Sequence, residues 1–117
     1  MSDPVPALPA RSLDAAVADG ALVLDVREDA EWDAGHLPGS VHVPLADLGS
    51  RLAALSVDAA AASQVVVVCR VGGRSAAATA ALRSHGLAAV NLDGGLLAYT
   101  AAGGALRTPA GAPGRVL

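Results

Sequence analysis

The chain has 117 residues, 53% of them hydrophobic, which suits one domain around a core built mainly from Leu and Val. Its 8 Lys+Arg against 11 Asp+Glu leave a net charge of −3 and no basic stripe, which argues against nucleic acid as the main partner. A single Cys excludes an internal disulfide, and no apolar run is long enough to span a bilayer, so no membrane partner is expected.

Residues 1–10 form a proline-rich lead. They carry neither a positively charged n-region nor an apolar h-region, so no signal peptide is expected and the expected location is cytoplasmic. Ser12 reads as the N-cap of a first helix, with Leu13, Ala16 and Val17 on one face and Gly20 as its stop. Leu22-Val23-Leu24-Asp25-Val26 reads as a buried strand ending in the polar cluster Arg27-Glu28-Asp29. Glu31-Trp32-Asp33 reads as one helical turn, and Gly35-His36-Leu37-Pro38-Gly39-Ser40 as a loop with turn residues at both ends. Val41-His42-Val43 is a short strand stopped by Pro44, and Pro44 opens a helix carrying Leu45, Leu48, Leu52 and Leu55 at helical spacing.

Val65-Val66-Val67-Val68 has the continuous β-branched pattern of a strand buried on both faces. The alanine-rich stretch from Ser75 to Leu82 is a strong helix former. Gly86 is placed to cap it in the left-handed conformation, with Leu87 folding back onto Leu82. Ala89-Val90-Asn91-Leu92 is another strand, and Asp93-Gly94-Gly95 turns into a last helix, Leu96-Leu97-Ala98-Tyr99. The Gly- and Pro-containing tail, residues 103–117, is expected to lie over the surface. This alternation implies an α/β fold with a mostly parallel central sheet of four to five strands and helices on both faces.

The only cysteine, Cys69, lies between the valine strand and the alanine helix, in Cys69-Arg70-Val71-Gly72-Gly73-Arg74-Ser75. That position is the carboxyl edge of a parallel sheet, where ligands bind. Successive loop N–H groups there can converge into an anion cradle, and the following helix adds its positive end. Arg70 and Arg74 add full charges. All three effects favour a thiolate, which is the nucleophilic form. A lone Cys at a strand end is often a small buried hydrophobe, but two glycines and two arginines around it are hard to explain by packing, so Cys69 is read as reactive. Asp25 and Arg27 sit at another strand's carboxyl end. Asp25 is read as holding backbone or Arg27 and so supporting the neighbouring loop. His36, His42 and one cysteine are too few for a metal site, so no metal is expected, and His42 and His85 are read as structural. Gly94-Gly95 lacks the spacing of a dinucleotide fingerprint.

Several segments together resemble the rhodanese-like family. They are Leu24-Asp25-Val26-Arg27, Glu31-Trp32, Gly35-His36-Leu37-Pro38-Gly39-Ser40 running into Val43-Pro44, Val68 through Ala76, and Leu92-Asp93-Gly94-Gly95. They fall in the family's order and cover about residues 12–102 of the chain. The resemblance implies a sulfurtransferase that works without a cofactor through a persulfide on Cys69. Thiosulfate or a similar donor would load the sulfur, which would rest among the N–H groups from Arg70 to Ser75. Cyanide, a thiol or a sulfur-acceptor protein would then remove it.

Four residues separate Cys69 from Arg74. Cysteine phosphatases similar to this family in fold place one residue more there, so the shorter loop favours a single sulfur atom over a phosphate. Arg74 is accordingly expected to steady the loop and the persulfide charge. Members strong on thiosulfate resemble one another in carrying Arg-Lys after the cysteine, where this chain has Arg70-Val71. Tyr99 stands where the family also has Trp. The other readings are a regulatory or binding module without turnover, which the intact Cys69 and Arg74 oppose, and a phosphatase or arsenate reductase. Loop length opposes the phosphatase, and the lack of a second cysteine opposes a reductase that resolves its own disulfide.

Overall fold

The computed structural model describes residues 5–117. Five parallel strands form one sheet in the order β1-β5-β4-β2-β3. They are β1 (Ala7–Pro9), β2 (Leu22–Asp25), β3 (Val41–His42), β4 (Val65–Val68) and β5 (Ala89–Asp93). The helices are α1 (Leu13–Ala18), α2 (Asp29–Ala34), α3 (Leu48–Ala60), α4 (Gly73–Ser84) and α5 (Gly95–Ala101). The α/β reading therefore holds, with helices on both faces.

The four valines of β4 are at most 2% exposed. Side chains alternate across a strand, so Val65 and Val67 pack with Leu48, Leu55 and Leu82 on one face, while Val66 and Val68 pack with Leu13, Leu92, Leu96 and Tyr99 on the other. Each such valine stabilises by about 1.5–3 kcal/mol relative to exposure. On α4, Ser75, Ala78, Thr79 and Leu82 share the buried face. Gly86 has φ +86°, and Leu87 N–H donates to the Leu82 carbonyl, so this helix ends in a left-handed cap with the chain folded back.

Some elements differ from the sequence expectations. The proline-rich lead contributes an edge strand, β1, paired with β5; an edge tolerates proline because one side of the strand needs no partner. Ser12 makes no side-chain cap and ends a 3-10 turn instead. Val17 is 40% exposed, away from the face that buries Leu13 and Ala16. Pro44 precedes a separate 3-10 turn, Leu45–Asp47, and α3 starts after it. The tail is not wholly superficial. Leu106 enters the core, Arg107 exchanges backbone hydrogen bonds with His36, and Arg115 N–H donates to the Ala34 carbonyl.

The connections reverse direction between β2 and β4. From β2 the chain moves outward to β3, and from β4 it moves the other way to β5. The carboxyl ends of β2 and β4 thus form the crevice where such sheets bind ligands.

Candidate active site

Cys69 leaves β4 at this crevice and is buried, 1% exposed. Its Sγ lies 3.1 Å from Gly72 N, 3.4 Å from Ser75 N and 3.2 Å from Ser75 Oγ. Two local features aim these donors inward. Gly72 has φ +107°, a conformation that side chains disfavour, and it turns the chain straight into α4. On the outer side, Leu96 N–H and Leu97 N–H donate to the carbonyls of Cys69 and Arg70 at 2.9 and 3.0 Å. In a trans peptide the N–H points opposite its carbonyl. With those two carbonyls held by α5, the N–H groups of Arg70 and Val71 face the other way. The approach of α5 requires Gly95, which has φ +64°, since a Cβ there would run into the carbonyls of Arg70 and Cys69.

Burial is the largest influence on the Cys69 thiol and pushes its pKa up. Hydrogen bonds from the Ser75 hydroxyl and from the N–H groups of Ser75, Gly72 and Val71 outweigh it, and the thiol sits below its ordinary value. The donors nearest the sulfur are therefore uncharged.

The two arginines have other partners. Arg74 forks onto the carboxylate of Glu31 on α2, at 2.6 and 2.8 Å. Arg70 is exposed, and its Nε donates to the main-chain oxygen of Leu117. Val71 is 53% exposed at the mouth of the loop, and Gly73 opens α4. Asp25 and Arg27 are fully buried at the end of β2. Arg27 donates through Nε and Nη2 to Asp25 at 2.8–3.1 Å and through Nη2 to the Gly35 carbonyl at 2.7 Å. The histidines lie apart from the sulfur's hydrogen bonds. Trp32 stacks on both His36 and His42, with ring centroids 3.6 and 4.6 Å away, and the His85 ring contacts the Ala81 carbonyl.

Two site neighbours were missed in the sequence. Asn91 on β5 lies 2.5 Å from Ser75 Oγ through Oδ1 and donates through Nδ2 to the Gly72 carbonyl at 3.1 Å. An asparagine inside a strand, where that residue is depleted, was the available signal. Glu31 was read as part of one helical turn and of the Glu31-Trp32 motif, with no link to the loop; in the structure it also forms a capping box with Glu28.

The sequence pattern of the Rhodanese-like domain matches residues 9–102. The chain belongs to the rhodanese-like family. It is 38% identical over 77 residues to the thiosulfate sulfurtransferase GlpE of Pseudomonas fluorescens, covering 65% of this chain and 67% of GlpE. It is 40% identical over 80 residues to MoeZ of Mycobacterium tuberculosis, covering 66% of this chain but only 19% of MoeZ. The crystal structure of a rhodanese-related protein from Thermoplasma volcanium superposes with a TM-score of 0.77 at 30% identity, covering 86% of this chain and 96% of that one. This rhodanese-like chain thus falls among sulfurtransferases and sulfur carriers, a family with transferase activity whose members use sulfur donors and acceptors. No helix among the described residues is long and apolar enough to cross a membrane.

Proposed function

We propose that this chain is a sulfurtransferase in which Cys69 carries the sulfur. The Cys69 thiolate attacks the outer sulfur of thiosulfate. A new S–S bond forms, the old one breaks, and sulfite leaves with its electron pair. The resulting Cys69 persulfide anion is held by Gly72 N–H, Val71 N–H, Ser75 N–H and the Ser75 hydroxyl. An acceptor, cyanide or an external thiol, then attacks the outer sulfur and regenerates the thiolate. This is covalent catalysis in two displacements, with preorganised donors stabilising the charge in both.

The observation that carries this reading is the pair of backbone N–H donors, from Gly72 and Ser75, at 3.1 and 3.4 Å around one buried sulfur, with the Ser75 hydroxyl 3.2 Å away. The six-residue loop is one residue shorter than a phosphatase loop, which supports sulfur over phosphate as the bound group. Arg70, Val71 and Gly73 form the mouth and the turn, Arg74 fixes the first turn of α4 to α2, and the Asp25–Arg27 pair supports the crevice wall. With no second cysteine in the chain, the persulfide is discharged to an outside acceptor, either a small thiol or a sulfur-acceptor protein. A lone free thiol suits a reducing, cytoplasmic setting.

Mass spectrometry after incubation with thiosulfate tests it. One added sulfur, about 32 Da, should appear on the protein, disappear with dithiothreitol and be absent from Cys69→Ser. An unmodified protein after several sulfane donors would leave the binding-module reading in its place.

A further inference from the structure

The Ser75 hydroxyl has two neighbours and one hydrogen. Sγ of Cys69 lies 3.2 Å from its oxygen and Oδ1 of Asn91 lies 2.5 Å away. The orientation of the Asn91 amide is settled by its other end, because Nδ2 donates to the Gly72 carbonyl. Oδ1 therefore faces Ser75, and an amide oxygen only accepts. Ser75 must be the donor in that contact. Its lone pairs are then turned to the sulfur, where they accept from the thiol S–H. The arrangement is satisfied throughout when Cys69 is protonated. It conflicts with an anionic sulfur, which needs a donor from Ser75.

We propose that Asn91 is a positioning residue of the Cys69 site: its Oδ1 holds the single hydroxyl hydrogen of Ser75 while the thiol is protonated and yields it when the sulfur becomes anionic. The step conserves protons. The thiol proton leaves to solvent, the Ser75 O–H rotates from Oδ1 to S⁻, and Oδ1 loses one hydrogen bond. Through Nδ2 the same side chain pins the Gly72 carbonyl and so steadies the loop whose N–H, also from Gly72, points at the sulfur. Asn91 thus holds the loop in shape for the anion and restrains the thiol from ionising too readily. Ser75, Asn91 and Cys69 are all buried, so water does not replace the missing partner freely.

The inference rests on Cys69 acting as a thiolate, but its test does not use sulfur transfer. The charged groups around the loop are Arg70, Arg74 with Glu31, the Asp25–Arg27 pair at the end of β2, and Asp93 closing β5; all are kept in the variants. Asn91→Leu frees the Ser75 hydrogen, and the pH of half-maximal alkylation of Cys69 should fall by roughly one unit, the size expected for one hydrogen bond gained by a charged acceptor. In a Ser75→Ala background the same Asn91→Leu change should move it far less, since no hydroxyl remains to redirect. An inflection that stays put or rises in Asn91→Leu, or an equal shift in both backgrounds, would overturn the proposal. Should Asn91→Leu fail to fold, the ¹³Cγ resonance of Asn91 decides in the unaltered chain. It should titrate together with the Cys69 thiol and cease to do so in Ser75→Ala. A resonance that ignores the thiol, or that titrates equally without Ser75, rules the switch out. Failure of thiosulfate loading with these shifts intact would count against the sulfurtransferase reading alone.

Discussion

Arg74 closes the cysteine loop, yet its guanidinium lies on Glu31 of α2, 43 residues away in the chain, with both oxygens of the carboxylate engaged. The guanidinium joins the first turn of α4 to α2 while staying within electrostatic reach of Cys69. The sulfur depends on backbone and hydroxyl donors, and the loop depends on a remote carboxylate for its position.

That pair should be visible in the acid limb of stability. Glu31 is held at about 2, below its ordinary 4.5, chiefly by the hydrogen bond from Arg74 and against the opposing effect of burial. A depressed carboxyl stabilises the fold fully above pH 4.5, and that contribution fades as pH falls toward 2. The pair is partly solvent-exposed, so it is worth about 1 kcal/mol or less and weakens with salt. Denaturant melts of the wild type and Glu31→Gln should differ near neutral pH and converge in acid. A gap that is constant with pH would mean that the ion pair contributes nothing.

Gly95→Ala should damage both fold and site. The new methyl meets the Arg70 and Cys69 carbonyls, and the residue must keep φ +64°. We expect a loss of about 2 kcal/mol or more, typical of forced backbone strain with a clash. Relief by moving α5 would release the two carbonyls it holds and turn the loop N–H groups off the sulfur. Persulfide yield should therefore drop even where the variant is fully folded. A stable Gly95→Ala protein with normal loading would show that α5 does not orient the loop.

Tyr99 predicts a second, alkaline limb. Its hydroxyl donates to Asp14 on α1 at 2.7 Å, joining α5 to α1. Burial first, and the Asp14 contact next, raise its pKa from 10.0 to about 12. A raised value means the stabilisation is complete below pH 10 and is lost as pH climbs through 12. Tyr99→Phe should cost about 1 kcal/mol at pH 8 and show a flatter stability profile between those values. A steeper alkaline decline in Tyr99→Phe than in the wild type would refute the assignment.

Donor choice should respond to Val71. Its side chain is 53% exposed at the loop mouth and packs little, so lysine fits there without disturbing the core. Thiosulfate is a dianion, and Arg70 beside the mouth is tethered to the Leu117 oxygen. Val71→Lys should lower the KM for thiosulfate several-fold at low ionic strength, an effect that shrinks as salt is added. Arg70→Ala should raise it. Identical KM values for wild type and Val71→Lys at low salt would place the dianion's sulfonate elsewhere.

How much was legible beforehand follows the range of the interactions. The valine run, the glycines after Cys69 and the alanine stretch prescribe strand, turn and helix from their own φ/ψ and burial preferences, so the parallel α/β plan and the cysteine at a strand's carboxyl edge could be read directly. Gly86 and Leu87 behaved as read because a left-handed cap is a local event. The proline-rich lead was harder, since only an open place beside β5 makes residues 7–9 a strand.

The sequence by itself therefore determined the order of elements from α1 onward and the chemistry available at Cys69. Tertiary structure decided which groups attend that sulfur. Asn91 reaches Ser75 across 16 residues and Glu31 reaches Arg74 across 43. Neither contact has a local signature, because a hydrogen bond between side chains depends on where two backbones are brought together, and that is set by the packing of the whole sheet and its helices.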